Sequence, residues 1–259
     1  MGVLFREERL TLEGLTDTLH VALISDTHIK SKRSIARLEE AVKGLNERDV
    51  DLVLLLGDYI LSPKTDISTL KAIGELKPRY GTYAVMGNHD YALSSLLSRS
   101  HDELADRLIS VLESSGVTVL RDASLELETH AGTLTLVGVE SQWYGIDYDK
   151  AFADAKTENL TFLLTHHPHA IRWIPPERRT DLIVAGHTHG YNIRTPSGRR
   201  PMFPFIHPWL GGPYDRGLKD YDGRLMYVSS GLGNSLPFPR LFNPPEVVLL
   251  ELSPLEGGE

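Results

Sequence analysis

Five short polar clusters in the chain each follow directly after an apolar, strand-like run. Their metal-ligating or proton-transferring side chains are Asp26 and His28, Asp58, Asn88 and His89, His166, and His187 and His189. The carboxyl ends of neighbouring parallel strands meet at one edge of a sheet, so side chains placed there converge. Carboxylate oxygens and imidazole nitrogens are metal ligands, and this set is large enough for two ions. The clusters therefore predict a dinuclear metal site at the C-terminal ends of the strands.

The spacing within the clusters suggests how the ligands divide. Asp26 and His28 lie two residues apart, and in extended backbone such side chains share a face and can reach one ion. His187 and His189 repeat this spacing. Asp58 follows a glycine, and its two carboxylate oxygens could bridge two cations.

Asn88 and His89 complete the set. Asn88 offers a neutral amide oxygen where a further anion would overcharge the site, which leaves the adjacent His89 free for another role. Singly, such residues have ordinary explanations, because Gly-Asp turns are common and an isolated histidine usually lies at the surface or in a satisfied core. Five coincidences in order at strand ends favour the functional interpretation. The ordinary explanation is kept for the histidines outside this pattern, which are His20, His101, His130, His167, His169 and, with least support, His207.

The composition excludes several classes of protein. The chain has 259 residues, 41% of them hydrophobic, which is enough for one large core, and we expect a single domain over residues 1–259. Cysteine is absent, so any metal must be held by nitrogen and oxygen donors. The net charge of -8 disfavours nonspecific nucleic-acid binding. The N-terminus lacks a signal-peptide core and no apolar run is long enough to span a bilayer, which predicts a cytoplasmic location.

Strand-like and helix-like segments alternate along the chain. An edge strand is predicted at 4–12, and the strands that precede the clusters are predicted at 20–24, 52–56, 82–86, 162–164 and 182–184. Helical spacing of apolar residues predicts helices at 35–45, 67–76 and 102–115. Residues 124–129 and 133–139 read as an antiparallel hairpin, and strands near 225–228 and 247–252 complete the pattern. This order predicts an α/β fold with parallel strand pairs and a second sheet.

In their order along the chain, the clusters resemble the signature motifs of the calcineurin-like metallophosphoesterase superfamily. The resemblance spans residues 26–189 and implies a four-layer α-β-β-α sandwich, in which two mixed sheets are flanked by helices. It also implies that one ion is held by Asp26, His28 and His189, and the other by Asn88, His166 and His187. In the matching roles Asp58 would bridge the two ions, and His89 would be the catalytic histidine rather than a ligand.

The C-terminal part resembles a narrower group, the small bacterial phosphodiesterases that include UDP-2,3-diacylglucosamine hydrolases. The similarity lies in the Ser-Ser-Gly-Leu-Gly stretch at 229–233 and the Pro-Phe-Pro-Arg stretch at 237–240. Two positions depart from the family. Leu61 stands where many relatives place an aspartate, so Asp90 or a backbone carbonyl would have to partner the catalytic histidine. The Gly-His-Thr-His-Gly motif continues with Tyr-Asn at 191–192 instead of Gly-Gln.

The resemblance implies hydrolysis of a small phosphodiester, phosphomonoester or pyrophosphate substrate by attack of a metal-bridging hydroxide. Two divalent ions are expected, with Mn, Fe, Zn or Ni as candidates. The alternative is a catalytically weak, metal-binding scaffold for protein partners. We favour the enzyme because a scaffold has no need for a proton donor such as His89. A nuclease would require a basic groove, which the net acidity disfavours, and a protein phosphatase would carry an arginine soon after Asp58.

A segment rich in glycine, proline and arginine, about 191–222, is predicted to be a long functional loop. We expect it to form one wall of the substrate cleft, with candidate phosphate-binding side chains at Arg194, Arg199, Arg200, His207 and Arg216. Its apolar part, 202–210, could touch substrate, or lipid in a peripheral contact with the membrane. The alternative is an apolar loop that packs over the core with its arginines in solvent.

Overall fold

The computed structural model describes residues 2–93, 99–199, 214–221, 223–235 and 240–255. Within these ranges the strands are β1 Leu4–Leu12, β2 Leu19–Ile24, β3 Leu52–Leu55, β4 Thr82–Ala84, β5 Val117–Val119, β6 Ala123–Thr129, β7 Gly132–Gly138, β8 Leu160–Leu164, β9 Leu182–Ala185, β10 Gly217–Tyr221, β11 Arg224–Val228 and β12 Glu246–Pro254. The α-helices are α1 Lys32–Asn46, α2 Asp102–Ser114 and α3 Tyr148–Ala151.

These strands form two six-stranded mixed sheets. The first has the order β1-β12-β2-β3-β4-β5, in which only the β12–β2 pair is antiparallel. The second has the order β10-β11-β9-β8-β7-β6, in which the outer pairs are antiparallel and the inner ones parallel. The parallel pairs point their C-terminal ends to one edge of each sheet, which is where the polar clusters emerge.

The two sheets pack face to face, and helices cover the other face of the first sheet. Strand β2 is therefore apolar on both sides. Val21 and Leu23 belong to the core between the sheets, whereas Ala22 and Ile24 face the outer helices, as the two-residue period of a strand requires. The inner core also receives Leu136 of β7 from the second sheet. A strand that is buried on both faces reads as a continuous apolar run, which is how the sequence identified it.

Helices cover the outer faces of both sheets. In α1 the buried side chains follow helical spacing, with Leu38, Val42 and Leu45 packed on the first sheet. Ser31 starts this helix, because its hydroxyl accepts a hydrogen bond from the Ser34 backbone N–H. The second sheet is covered by α3 and neighbouring segments. The structure thus confirms the predicted α-β-β-α arrangement, and no helix in the described ranges is both long and apolar enough to cross a membrane.

Three segments differ from the sequence expectation. Residues Ile67–Glu75 form a 3-10 helix rather than an α-helix, and its Asp66 cap bonds the backbone N–H of Ser68. The short strand β5 was not predicted. The predicted loop at 191–222 ends in strand β10, which pairs with β11 alone among the described strands and exposes most of its side chains, so it carries no apolar alternation.

Candidate metal centre

The five polar clusters meet at the shared edge of the two sheets. Asp26 and His28 follow β2, Asp58 follows β3, and Asn88 follows β4, all in the first sheet. The second sheet contributes His166 after β8, and His187 and His189 after β9. All of these side chains are buried or half-buried. The edge where the sheets meet therefore collects carboxylate, amide and imidazole groups out of contact with bulk water.

One group of donors consists of Asp26, His28 and His189. The Nε2 atoms of the two histidines lie 3.0 Å apart and face each other. The Oδ1 atom of Asp26 lies 3.4 Å from the His189 nitrogen and 3.7 Å from the His28 nitrogen. Three donor atoms turned towards one point are the arrangement that a single cation requires.

A second group lies beside the first. The Nε2 atom of His166 is 3.2 Å from the Nδ1 atom of His187. The opposite ring nitrogen of His166 donates to the Leu56 carbonyl at 2.7 Å, which leaves Nε2 directed into the site. The Asn88 amide is oriented in the same way, because its Nδ2 donates to the Leu93 carbonyl at 2.6 Å and its Oδ1 is turned away from that bond.

Asp58 lies between the two groups. Its Oδ2 atom is 3.5 Å from Nε2 of His28 in the first group and 3.2 Å from Nε2 of His166 in the second. Its Oδ1 atom accepts a hydrogen bond from the His89 backbone N–H at 2.8 Å. The carboxylate is thus held by the backbone on one side and open to both groups on the other.

The backbone at these residues is left-handed rather than extended. The φ angles are 50° at Asp26, 41° at His28, 56° at Asp58, 69° at His187 and 50° at His189. The expectation that extended backbone brings residues i and i+2 together was therefore wrong, although the pairs do converge. Asp and His adopt this conformation more readily than branched residues, and such conformations cluster at functional sites because the surrounding fold must hold them.

A family sequence model for calcineurin-like phosphoesterases matches residues 19–191, the stretch that carries all of these side chains. The chain belongs to the calcineurin-like phosphoesterase family. This confirms the resemblance drawn from the motifs. The family uses two divalent cations, so the paired donor groups have a ready explanation.

Relatives with this domain are found in several bacteria. The chain is 29% identical to an uncharacterized metallophosphoesterase of Helicobacter pylori over 96% of its own length, and it spans 64% of that relative. It is 29% identical to the phosphodiesterase YaeI of Escherichia coli, covering 90% of this chain and 81% of that one. It is 25% identical to the UDP-2,3-diacylglucosamine pyrophosphatase LpxG of Chlamydia muridarum, covering 90% and 83%.

A solved structure shows the same fold at low sequence identity. The phosphopantetheinyl hydrolase PptH of Mycobacterium tuberculosis superposes with a TM-score of 0.50 and 12% identity, covering 91% of this chain and 96% of that one. Identity this low shows the fold alone.

The donor atoms themselves fit a pair of cations in this calcineurin-like phosphoesterase. Oδ1 of Asp26 and Oδ1 of Asn88 are buried and have no hydrogen-bond partner among the described residues. A buried acceptor without a partner costs about 1–3 kcal/mol, and more for a charged group. One cation held by each donor group would satisfy these oxygen atoms and the facing imidazole nitrogens. Oxygen and nitrogen donors without thiolate suit Mn, Fe, Zn or Ni.

Burial keeps most of the site's imidazoles in the neutral form that ligates metal. Burial lowers the pKa of His28 and of His187 to about 3, and it holds the pKa of His189 well below its usual value. At His166 burial is outweighed by the charge of Asp58, which raises the pKa to about 9, so this ring is protonated in the metal-free protein and would release its Nε2 proton when it binds a cation. The His166 imidazolium in turn outweighs burial at Asp58 and keeps that carboxylate ionised.

His89 occupies a position of its own at the rim. The residue follows Asn88 in a short 3-10 turn, His89–Tyr91. Its Nδ1 atom donates to the Leu61 carbonyl at 3.3 Å. One ring nitrogen also lies within 4.8 Å of donor atoms of His28 and Asp58.

Asp90 does not partner the His89 ring. Its carboxylate accepts three backbone N–H bonds of 2.8 Å each, from Asp58, Tyr59 and Gly87. Of the two substitutes considered for the missing family aspartate, the backbone carbonyl of Leu61 is the one the structure provides. Asp90 instead fixes the turns that carry Asp58 and Asn88.

Two residues beside the second group were missed by the sequence argument. His167 was treated as structural, yet it is buried, its ring centroid is 4.2 Å from that of His187, and its Nε2 has no partner among the described residues. Trp143 stacks on His167 at 5.8 Å and remains 39% exposed. The signal for His167 was available, since it directly follows His166 in the same strand-end cluster.

The predicted substrate-binding arginines are mostly engaged within the protein. Arg194 is buried, donates to the carbonyls of Gly190 and Gly198, and pairs with Asp215, so its guanidinium is not available to a substrate. The prediction of a phosphate contact at Arg194 is therefore not supported. Arg216 donates to Asn243 at 2.7 Å, and Arg199 is exposed. Arg200, His207 and the apolar stretch 202–210 lie outside the described residues.

Proposed function

We propose that this domain hydrolyses phosphodiester or related phosphoester bonds, including pyrophosphate bonds, with two divalent cations. The observation that supports this most directly is the arrangement around Asp58, which lies within 3.5 Å of a nitrogen donor from each of two groups. Asp26, His28 and His189 would hold one ion, and Asn88, His166 and His187 the other. When bound, such ions activate water and neutralise charge on the phosphoryl oxygens. Manganese is our first candidate.

In this proposal His89 handles the proton. Because its Nδ1–H is donated to the Leu61 carbonyl, His89 in its imidazolium form keeps Nε2–H to donate a proton to the departing oxygen or a hydrogen bond to the phosphoryl group. An imidazole suits this role because its unperturbed pKa lies near neutral pH. The names of the relatives YaeI and LpxG, a phosphodiesterase and a pyrophosphatase, support a diester or pyrophosphate substrate.

The test is reconstitution of metal-free protein with Mn, followed by assays on p-nitrophenyl phosphate, bis(p-nitrophenyl) phosphate, a cyclic nucleotide and a nucleotide-sugar pyrophosphate. We expect metal-dependent turnover and a preference for diester or pyrophosphate over monoester. Metal binding without turnover on any substrate would reject the enzyme and leave the scaffold alternative.

The location of the protein follows from the same proposal. A small phosphate ester as substrate agrees with a cytoplasmic protein, and a lipid-linked one with a peripheral contact at the membrane. Flotation of the protein with anionic liposomes, compared with neutral ones, separates these two cases.

A further inference from the structure

A basic cavity of about 210 Å³ opens next to the metal centre. His28 forms part of its wall, and its charged lining consists of Lys30, Arg33, Arg37 and Arg240. None of the described residues that line it is a carboxylate. Four cations around one small cavity are unexpected in a chain whose net charge is -8.

Among the described residues, no carboxylate pairs directly with the cations of this basic cavity. The ammonium group of Lys30 donates to the Asn234 carbonyl, and the Arg240 guanidinium donates to backbone carbonyls that include that of Gly233. Their charges therefore persist, because a carbonyl oxygen accepts a hydrogen bond without carrying a full negative charge.

Two of the four side chains keep donors for a ligand. Arg37 makes one hydrogen bond, to the Leu232 carbonyl at 3.3 Å, and its buried Nε has no partner among the described residues. Arg33 is exposed at the mouth of the cavity. Burial, and then repulsion from Arg33, lowers the pKa of Arg37, and these effects outweigh the attraction of Glu40.

The basic cavity borders the metal centre at two residues. His28, which lines it, carries the Nε2 atom that faces the first donor group. Arg240 lies between the two sites, with Nη2 3.2 Å from Nδ1 of His189. An anionic group in the cavity would therefore be a direct neighbour of a phosphoryl group at the metals.

We propose that the basic cavity binds a second phosphate of the substrate, adjacent to the phosphate that is hydrolysed. Arginine guanidinium groups match phosphate oxygens in a bidentate geometry, and the cavity is smaller than the ~300–1,000 Å³ that encloses a whole drug-sized ligand, so it suits one small anionic group. The proposal rests on the proposed phosphoesterase function and narrows it to substrates with two linked phosphates.

The test compares the affinities of methylenediphosphonate and methylphosphonate for the Mn-loaded protein by calorimetry, with saturating Mn in cell and syringe. Calorimetry requires no turnover, so the result is independent of whether any substrate is hydrolysed. The variants are Arg33→Gln, Arg37→Gln and their combination. Lys43→Gln is the matched control, because Lys43 is an exposed cation near the far end of the same helix, α1.

We expect the parent protein to bind the diphosphonate more tightly, and the double variant to lose about tenfold or more of that preference, since each charge-assisted bond to phosphate is strong. The control should keep the preference of the parent. A preference that survives in the double variant would overturn the proposal. An equal loss of affinity for both phosphonates would also overturn the proposal, because it would show that the cavity binds a single phosphate group and not the second of two linked ones.

Discussion

At the scale of single residues, several side chains of the candidate metal centre share one feature. One polar atom of each is hydrogen-bonded to the backbone, and another remains available to bind a cation. His166 is bonded to the Leu56 carbonyl, and Asn88 to the Leu93 carbonyl. Asp58 accepts the His89 backbone N–H. Each residue is thereby oriented before any ligand arrives, and preorganisation of this kind reduces the cost of binding.

His89 is the residue that separates the enzyme from the scaffold. In the Mn-loaded protein, His89→Asn should reduce turnover by about 10²–10⁴-fold while metal content stays at the parent value, because general acid–base catalysis contributes this much. The loss should be smaller for a good leaving group such as p-nitrophenolate, which needs little protonation. Metal analysis alongside kcat on good and poor leaving groups measures this.

The surface variant His101→Asn is the matched control for His89→Asn, since His101 is exposed. Loss of one metal equivalent in His89→Asn would make His89 a ligand, which its position within 4.8 Å of the donors of His28 and Asp58 would permit. Full turnover on both kinds of leaving group would remove its catalytic role.

Asp58 should control the occupancy of both ions. Asp58→Ala removes the anion that lies between the two donor groups, so two cations would repel each other without compensation. We expect the occupancy of both metal sites to fall in Asp58→Ala. The metal content of Asp58→Asn, which keeps one oxygen, should lie between those of Asp58→Ala and the parent. Elemental analysis after dialysis gives the answer, and two full equivalents in Asp58→Ala would contradict a bridging role.

At the scale of elements, the ends of β3 and β4 approach unusually closely. A side chain on Gly57, whose φ is 83°, would place its Cβ 2.5 Å from the backbone nitrogen of Gly87. A side chain on Gly87 would collide with the Asp58 carboxylate. The two glycines therefore allow neighbouring strand ends to place Asp58 and Asn88 side by side.

This close approach predicts a difference between two glycine variants. Gly116 has a similar φ of 79° but no atom within 4 Å of the place its Cβ would take. Gly116→Ala should cost roughly 1–2 kcal/mol from the left-handed backbone alone. Gly57→Ala should cost about 1–3 kcal/mol more because of the steric overlap, and should weaken Mn binding. Urea unfolding with and without Mn tests this, and equal costs would show that the contact relaxes freely.

Most of the fold could be predicted from the sequence because the site-bearing strands are short apolar runs that end in polar residues. The helix type at 67–75 could not, because the spacing of its apolar residues is compatible with both an α-helix and a 3-10 helix. Strand β10 lacked a signal because only its hydrogen bonds to β11, and no buried face, define it.

The membership of the candidate site could likewise be predicted, but its contacts could not. Residue types and their order were enough to predict that Asp58 and the histidines would lie together. The contact of His89 with the Leu61 carbonyl and that of Arg240 with His189 could not be predicted, because they depend on tertiary structure. Backbone carbonyls have no residue-type signature. In the sequence, Arg240 stood out only as part of a C-terminal motif, and nothing indicated that its side chain would contact His189, a candidate metal ligand.

At the scale of the whole molecule, an ion pair between a half-buried arginine and a buried glutamate joins strands β1 and β12. Glu246 at the start of β12 contacts Arg6 of β1 at 2.8 Å, and its other oxygen accepts the Ser230 backbone N–H at 2.9 Å. Burial alone would raise the pKa of Glu246, but Arg6 and the Ser230 bond together lower it. The carboxylate is therefore more stable when ionised in the folded protein than in the unfolded chain.

A carboxyl group whose pKa is lower in the folded protein stabilises the fold at pH values above its unfolded pKa of 4.5. This contribution is lost as the pH falls through the folded pKa. Glu246→Gln should thus reduce the unfolding free energy at pH 7 by about 1–3 kcal/mol. The difference from the parent should shrink as the pH falls below 4.5. Urea unfolding of both metal-free proteins at several pH values measures it, and a difference that is constant with pH would exclude the ion pair as its cause.

The donors of each group come from both sheets, and this gives the metals a second effect. Asp26 and His28 follow a strand of the first sheet and His189 one of the second, while Asn88 follows a strand of the first sheet and His166 and His187 follow strands of the second. Cations bound there would cross-link the first sheet to the second. Because a ligand that binds only the native state adds to its stability, the half-life of this protein against proteolysis should follow the metal supply of the cell.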